Sequence, residues 1–167
     1  YTTLFRSNAS FVTLTFSNEY YTELAELVKA EGYLLDNGIA TIAMRRFLER
    51  WRKKYKKSIR HWFITELGHG ETEHLHLHGI IYTKDLDEVE KIWKYGYIYK
   101  GKVKNGVRMN YVNERTINYM MKYVTKTDIK HKTYKPKILC SQGIGSNYIN
   151  THNAKKNKFN GKDKIGR

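Results

Sequence analysis

Cysteine is nearly missing from this 167-residue chain, where Cys140 stands alone. One thiol excludes an intramolecular disulfide framework and a cysteine-rich zinc site, and it fits a reducing compartment. Also missing is any uninterrupted apolar run of the ~20 residues that a membrane-spanning helix needs. No charged-then-apolar leader of the secretory kind is seen, so a soluble, cytoplasmic protein without membrane contact is expected. The first residue is Tyr1 rather than methionine, as in a segment trimmed from a longer protein. Acidic residues are scarce: 16 Asp and Glu face 31 Lys and Arg, a formal net charge of +15 with a pI near 9.8. That imbalance selects a polyanion as partner.

Aromatic residues are plentiful. Fourteen Tyr, six Phe and three Trp make up 14% of the chain, and rings among basic side chains suit a nucleic-acid strand whose bases are unstacked. Hydrophobic residues reach 40%, enough for a real core, and the length fits one domain at ~150 residues per domain. Residues 1–150 are read as that domain. Residues 151–167, rich in Lys and polar groups, are read as a flexible basic tail.

Local patterns give the element order. The β-branched, aromatic stretch 11–16 (FVTLTF) reads as a half-buried strand. Asn18 is placed to cap a helix over 19–30 that Gly32 stops, and a second helix is expected over 39–57, its basic residues forming a solvated face. Residues 61–67 and 74–82 read as a hairpin. Asp85 caps a short helix to about 93, residues 95–99 and 107–112 make a further strand pair, and 114–126 is the last helix. Strands interleaved with helices and containing hairpins define an α+β domain with a largely antiparallel sheet.

Two clusters carry chemistry. His74, His76 and His78 alternate with Leu75 and Leu77, so in a strand the three imidazoles share one face and the leucines the other. Glu66, on the preceding strand of the hairpin, can reach that same face. Imidazoles with a carboxylate and open positions would accept Mg²⁺ or Mn²⁺. The second cluster is YMMKYVTK at 119–126, where Tyr119 and Tyr123, and likewise Lys122 and Lys126, are four residues apart on one helix. Taken alone, the first cluster can be an exposed polar row and the second an ordinary amphipathic helix. Together they supply a cation that polarises a phosphate and a tyrosine that attacks phosphorus.

In this combination the chain resembles the HUH endonucleases, in particular the rolling-circle replication initiators of small single-stranded DNA phages and some plasmids. The motifs FVTLTF, EHLHLHGII (73–81) and YMMKYVTK stand in initiator order. The paired-tyrosine helix resembles the microvirus A-type initiators most specifically, and SQGIGSNY (141–148) does so more weakly, a Gly-rich turn being the simpler reading. The resemblance covers roughly residues 10–127.

It implies an RNA-recognition-like HUH fold with a central five-stranded antiparallel sheet. It implies His76 and His78 as metal ligands with Glu66 as the acidic ligand, Tyr119 and Tyr123 as paired nucleophiles, and Lys122 and Lys126 as phosphate or leaving-group contacts. His74 is extra to the two-histidine pattern, and its role stays open between metal, DNA and replacement of Glu66. The implied activity is metal-dependent nicking and strand transfer on single-stranded origin DNA through a 5′-phosphotyrosine, without a small-molecule cofactor, alongside a host helicase or replication machinery. Alternatives are a relaxase, for which Tyr20 or Tyr21 would precede the histidines, a single-tyrosine transposase, or a noncatalytic module binding single-stranded nucleic acid.

Overall fold

Alternation of buried and solvent-facing side chains sets the strands of the computed structural model, which describes residues 8–31, 35–110, 112–125 and 128–144. Strand β1 (Ser10–Leu14) buries every second residue. It is followed by helices α1 (Asn18–Glu31) and α2 (Leu35–Tyr55), then strands β2 (His61–Leu67) and β3 (Leu75–Ile81). Helix α3 (Leu86–Trp93), strand β4 (Ile98–Tyr99), the hairpin β5 (Lys102–Lys104) and β6 (Val107–Met109), helix α4 (Glu114–Thr125) and strand β7 (Ile138–Cys140) complete the order. The main sheet runs β4-β1-β3-β2-β7 with every neighbour antiparallel, giving the five-stranded α+β architecture expected.

Strand residues point alternately to two faces, and the faces differ in kind. Val12, Leu14, Phe63, Leu67, Leu75, Leu77 and Ile81 meet Leu24 and Val28 of α1, Ile39, Phe47 and Trp51 of α2, and Val89 and Trp93 of α3 in one apolar core. Full burial of side chains such as Phe47 and Phe63 stabilises the fold by about 1.5–3 kcal/mol each. Gly79 lies in the middle of β3 for a steric reason. A Cβ there would sit 2.1 Å from the Trp62 carbonyl oxygen and 2.4 Å from the Phe63 ring. On the opposite face only a small cluster of Ala9, Ile80, Val112 and Met120, flanked by Phe11, Trp62 and Tyr82, seats α4.

Several boundaries depart from expectation. Ser17, not Asn18, caps α1, its Oγ accepting from the Tyr20 N–H at 3.4 Å. Helix α2 starts at Leu35, before Gly38, because burial of Ile39, Ala40, Ile42 and Ala43 outweighs the helix cost of a glycine. Asp85 caps α3 as expected, its carboxylate accepting from the Glu88 N–H at 3.1 Å.

The expected pairing of 95–99 with 107–112 is not formed. Strand β4 pairs with β1, while β5 and β6 pair with each other. Asn105 (φ 52°) and Gly106 (φ 74°) explain this, since two consecutive left-handed residues close a tight hairpin. The lysine-rich stretch beyond Asp128 contributes β7, a strand the sequence did not announce. It is held by Lys137 N–H donating to Thr65 Oγ1 and by the Ser141 N–H donating to the His61 carbonyl. A turn follows Ser141 as expected, up to Ile144. Gly32, the rest of the 141–148 segment and the tail 151–167 lie outside the described residues. No helix among the described residues is long and apolar enough to cross a membrane.

Candidate active site and metal ligands

The register of the central hairpin assembles the first part of the site. Glu66 on β2 stands opposite His76 on β3, and Ile64 opposite His78. Diagonally, His78 Nε2 meets Glu66 Oε2 at 2.9 Å. On the other side of the same ring, Nδ1 lies 3.0 Å from Thr13 Oγ1 of β1. A ring nitrogen and a carboxylate oxygen that close need a cation between them, either a proton or a metal. With Nδ1 donating to Thr13, the Nε2 lone pair is the one turned toward Glu66, the arrangement that orients a metal-binding histidine.

His76 lies half-buried beside them, its ring centroid 6.3 Å from that of His78. Burial lowers the His76 imidazole below its usual range, with His78 adding to the effect, so its neutral, ligating form is favoured. Gly68 makes room for this ring, because a Cβ there would lie 2.9 Å from His76 Cε1. His74 is placed differently from the expected row. Glu73 takes φ 50° and β3 begins only at Leu75, so the alternation does not extend back to it. Its ring stacks on Tyr21 of α1 at 4.1 Å and 8°.

The second part is α4. Asn113 caps it, its side-chain oxygen accepting from the Thr116 N–H at 3.1 Å while Thr116 Oγ1 accepts from the Asn113 N–H at 3.4 Å. Buried Met120 anchors the helix to the sheet. The neighbouring turn then brings both tyrosines over the histidine strand. Tyr123 lies flat on His78, with ring centroids 4.6 Å apart and planes 8° from parallel. Tyr119 meets Phe11 of β1 edge-on at 6.0 Å. The Tyr123 hydroxyl donates to the Tyr119 hydroxyl.

Burial pushes the Tyr123 phenol well above its ordinary range, and the bond to Tyr119 and the Glu66 charge act the same way. Tyr119 is the more exposed of the two. Lys122 is exposed on the same helix, and Lys126 lies outside the described residues. Glu66, His76, His78, Tyr119 and Tyr123 thus gather on one sheet face, from which His74 is turned aside to Tyr21.

One group escaped sequence reasoning. Among the described residues, the one set of three ligand-type side chains whose atoms all lie within 4.8 Å of one another is His69, Asp128 and His131. His69 and Asp128 also line a small cleft with Glu66, Tyr123 and Tyr134. Fifty-nine residues separate His69 from Asp128 in the chain, so no local spacing could have flagged them.

The basic stripe of α2 belongs to the other side of the sheet and is partly used internally. Arg50 donates to the Ile92 and Trp93 carbonyls at 2.9 Å each, and Lys54 pairs with Glu88. The fold and this face define a class: an antiparallel sheet presenting imidazoles and a carboxylate beneath a helix that carries paired phenols. The chain belongs to the ORF2 family of replication-associated proteins, whose model matches residues 9–128. That span runs from the start of β1 through the histidine strand and the tyrosine helix to Asp128. Comparison with curated proteins finds no match, and comparison with solved structures finds none either.

Proposed function

We propose that this replication-associated protein is an initiator of the HUH type, resembling those of the microviruses, that nicks single-stranded origin DNA and rejoins it. The observation that carries the reading is the stack of Tyr123 on His78 while His78 Nε2 meets Glu66. It unites, on one surface, the phenols and the ligand set that the chemistry requires.

The donor set fits a divalent cation. Glu66, His76 and His78 would hold Mg²⁺ or Mn²⁺, consistent with two imidazoles and a carboxylate on adjacent strands in register. Such a cation, when bound, supplies charge against a nonbridging phosphate oxygen. The chain's own residues do the rest. Tyr119, the more open phenol, accepts the hydrogen bond from Tyr123 and presents its oxygen to a substrate. Its oxygen attacks phosphorus, the bond from phosphorus to the 3′ oxygen breaks, and that oxygen leaves as a 3′-hydroxyl after taking up a proton. The 5′ phosphate stays on the tyrosine, conserving the bond for rejoining. Tyr123, held protonated by burial, keeps its proton through this first cut and serves the second, when the regenerated origin is cleaved.

Lys122 follows Tyr119 by one helical turn and is exposed, where it can contact the phosphate or the leaving oxygen, with Lys126 as its counterpart for Tyr123. The excess of positive charge and the exposed aromatics provide the affinity for single-stranded DNA. A host helicase or replication machinery would then extend the freed 3′ end.

Tyr21 is a poor nucleophile for the relaxase alternative. Its ring is packed between Phe16 and His74, its hydroxyl bonds Asp36 at 3.3 Å, and burial with the Asp36 charge pushes the phenol up to about 12. Incubation with a pool of labelled single-stranded oligonucleotides, with Mn²⁺ or with EDTA, tests the proposal. Metal-dependent cleavage with retained label supports it, and binding without any cleavage in the presence of Mn²⁺ would assign a noncatalytic binding module instead.

A further inference from the structure

We propose that His69, Asp128 and His131 form a second divalent-cation site, suited to Zn²⁺, that clasps the β2–β3 turn to the chain beyond the tyrosine helix. The separations match what such an ion needs. Ligands at 2.0–2.1 Å in tetrahedral array lie about 3.4 Å from one another. His131 Nδ1 is 3.0 Å and His69 Nε2 is 3.8 Å from Asp128 Oδ2.

The surrounding groups are arranged as supports for those three atoms. Asp128 Oδ1 accepts from the backbone N–H groups of Lys130 and His131 at 3.0 and 2.9 Å, which leaves Oδ2 facing the two imidazoles. His131 Nε2 faces Glu73 Oε2 at 3.0 Å, and Lys130 in turn pairs with Glu73. With its Nε2–H donated to Glu73, His131 directs the Nδ1 lone pair at the proposed ion, the carboxylate–histidine–metal relay that fixes a ligand's tautomer. Asp128 and His131 are largely covered, whereas His69 is on the open side, leaving room for a water as fourth ligand.

The chain path gives the site its consequence. His69 follows Glu66 by three residues, and Asp128 follows the last residue of α4 by three. His69 and Asp128 share a cleft with Glu66 and Tyr123. An ion there holds the tyrosine helix in place over Glu66, and it does so whether or not the nicking proposal holds.

Zinc titration by calorimetry on the full chain, made metal-free and carrying His76→Ala and His78→Ala, reads this site alone. One equivalent of Zn²⁺ should bind and raise the melting temperature by mass action. Adding His69→Gln with His131→Gln should remove that equivalent, and Glu73→Gln should weaken binding by about 10–100-fold. Far-UV circular dichroism identifies any variant that fails to fold. Cobalt titration of the unmutated chain is the independent readout, with the visible absorption of tetrahedral Co²⁺ expected at one equivalent and lost in Asp128→Asn. Absence of zinc binding in the His76, His78 background, or binding that survives loss of His69 and His131 in folded protein, would overturn the proposal.

Discussion

The two faces of the central sheet are built to opposite specifications. The face under α1, α2 and α3 is a continuous apolar core whose Leu14, Phe47, Phe63 and Trp93 are fully buried. The face under α4 has four buried apolar residues, and the rest of its contact is made by Thr13, Glu66, His76, His78 and two phenols. The difference teaches a division of labour within one strand. Leu75 and Leu77 hold the sheet to its helices, and His76 and His78, one residue on, are free to be polar because the fold does not depend on them for apolar burial. A strand alternates its faces, so the same seven residues serve both ends.

That comparison breaks most visibly under paired substitution of the phenols. Tyr119→Phe with Tyr123→Phe should eliminate oligonucleotide cleavage altogether, while each single variant keeps part of a single-turnover reaction. Stability should shift by only about 1 kcal/mol per lost hydroxyl bond, which urea unfolding will show beside the cleavage gel. A double variant that still cleaves would place the nucleophile elsewhere.

The core face should answer in the opposite way. Phe63→Ala leaves a void beneath Gly79 and among the α2 side chains, and a loss of about 3–5 kcal/mol is expected, a large part of the ~5–15 kcal/mol typical of a domain. Unfolding curves measure it directly. A loss near zero would mean that this core is less tightly packed than its burial indicates.

A smaller effect follows from His61 at the start of β2. Its ring is buried, with Nδ1–H donating to the Ile59 carbonyl at 3.0 Å, and burial lowers its titration below the usual range. The unfolded chain, titrating near 6.5, therefore takes up protons first as pH falls. The stability contributed by neutral His61 is complete above that value and is lost as pH drops through the lower folded pKa. Urea midpoints at pH 7.5 and 5.5 should fall further on acidification for the wild type than for His61→Gln, and equal falls would remove His61 as the cause.

Smallest of all is the tail. Deletion of residues 155–167 should weaken low-salt binding of nonspecific single-stranded DNA and spare cleavage of a short cognate oligonucleotide. Loss of cleavage would make those residues part of the site.

How far these faces were legible in the sequence depended on the range of the signal. The histidine strand and the tyrosine helix were readable because period two and period four are local patterns, visible within eight residues. His74 was misplaced because the left-handed turn at Glu73, which ends the alternation, has no glycine to mark it. Strand β7 was hidden because its three residues gain their order from Thr65 and His61 on a distant strand rather than from their own pattern. The swapped pairing of β4 has the same origin, a two-residue strand settled by its neighbour β1. The group of His69, Asp128 and His131 exists only through the closure of the fold and had no linear trace.

The central claim is that the face beneath α4 performs covalent chemistry through its paired phenols. The most direct test is mass spectrometry of the proteolysed adduct formed with a cleavable single-stranded oligonucleotide and Mn²⁺. A nucleotide mass on the peptide carrying Tyr119 and Tyr123, with Tyr119 predominant, is the predicted result. A nucleotide linked to Tyr20, Tyr21 or any residue outside α4 would contradict it.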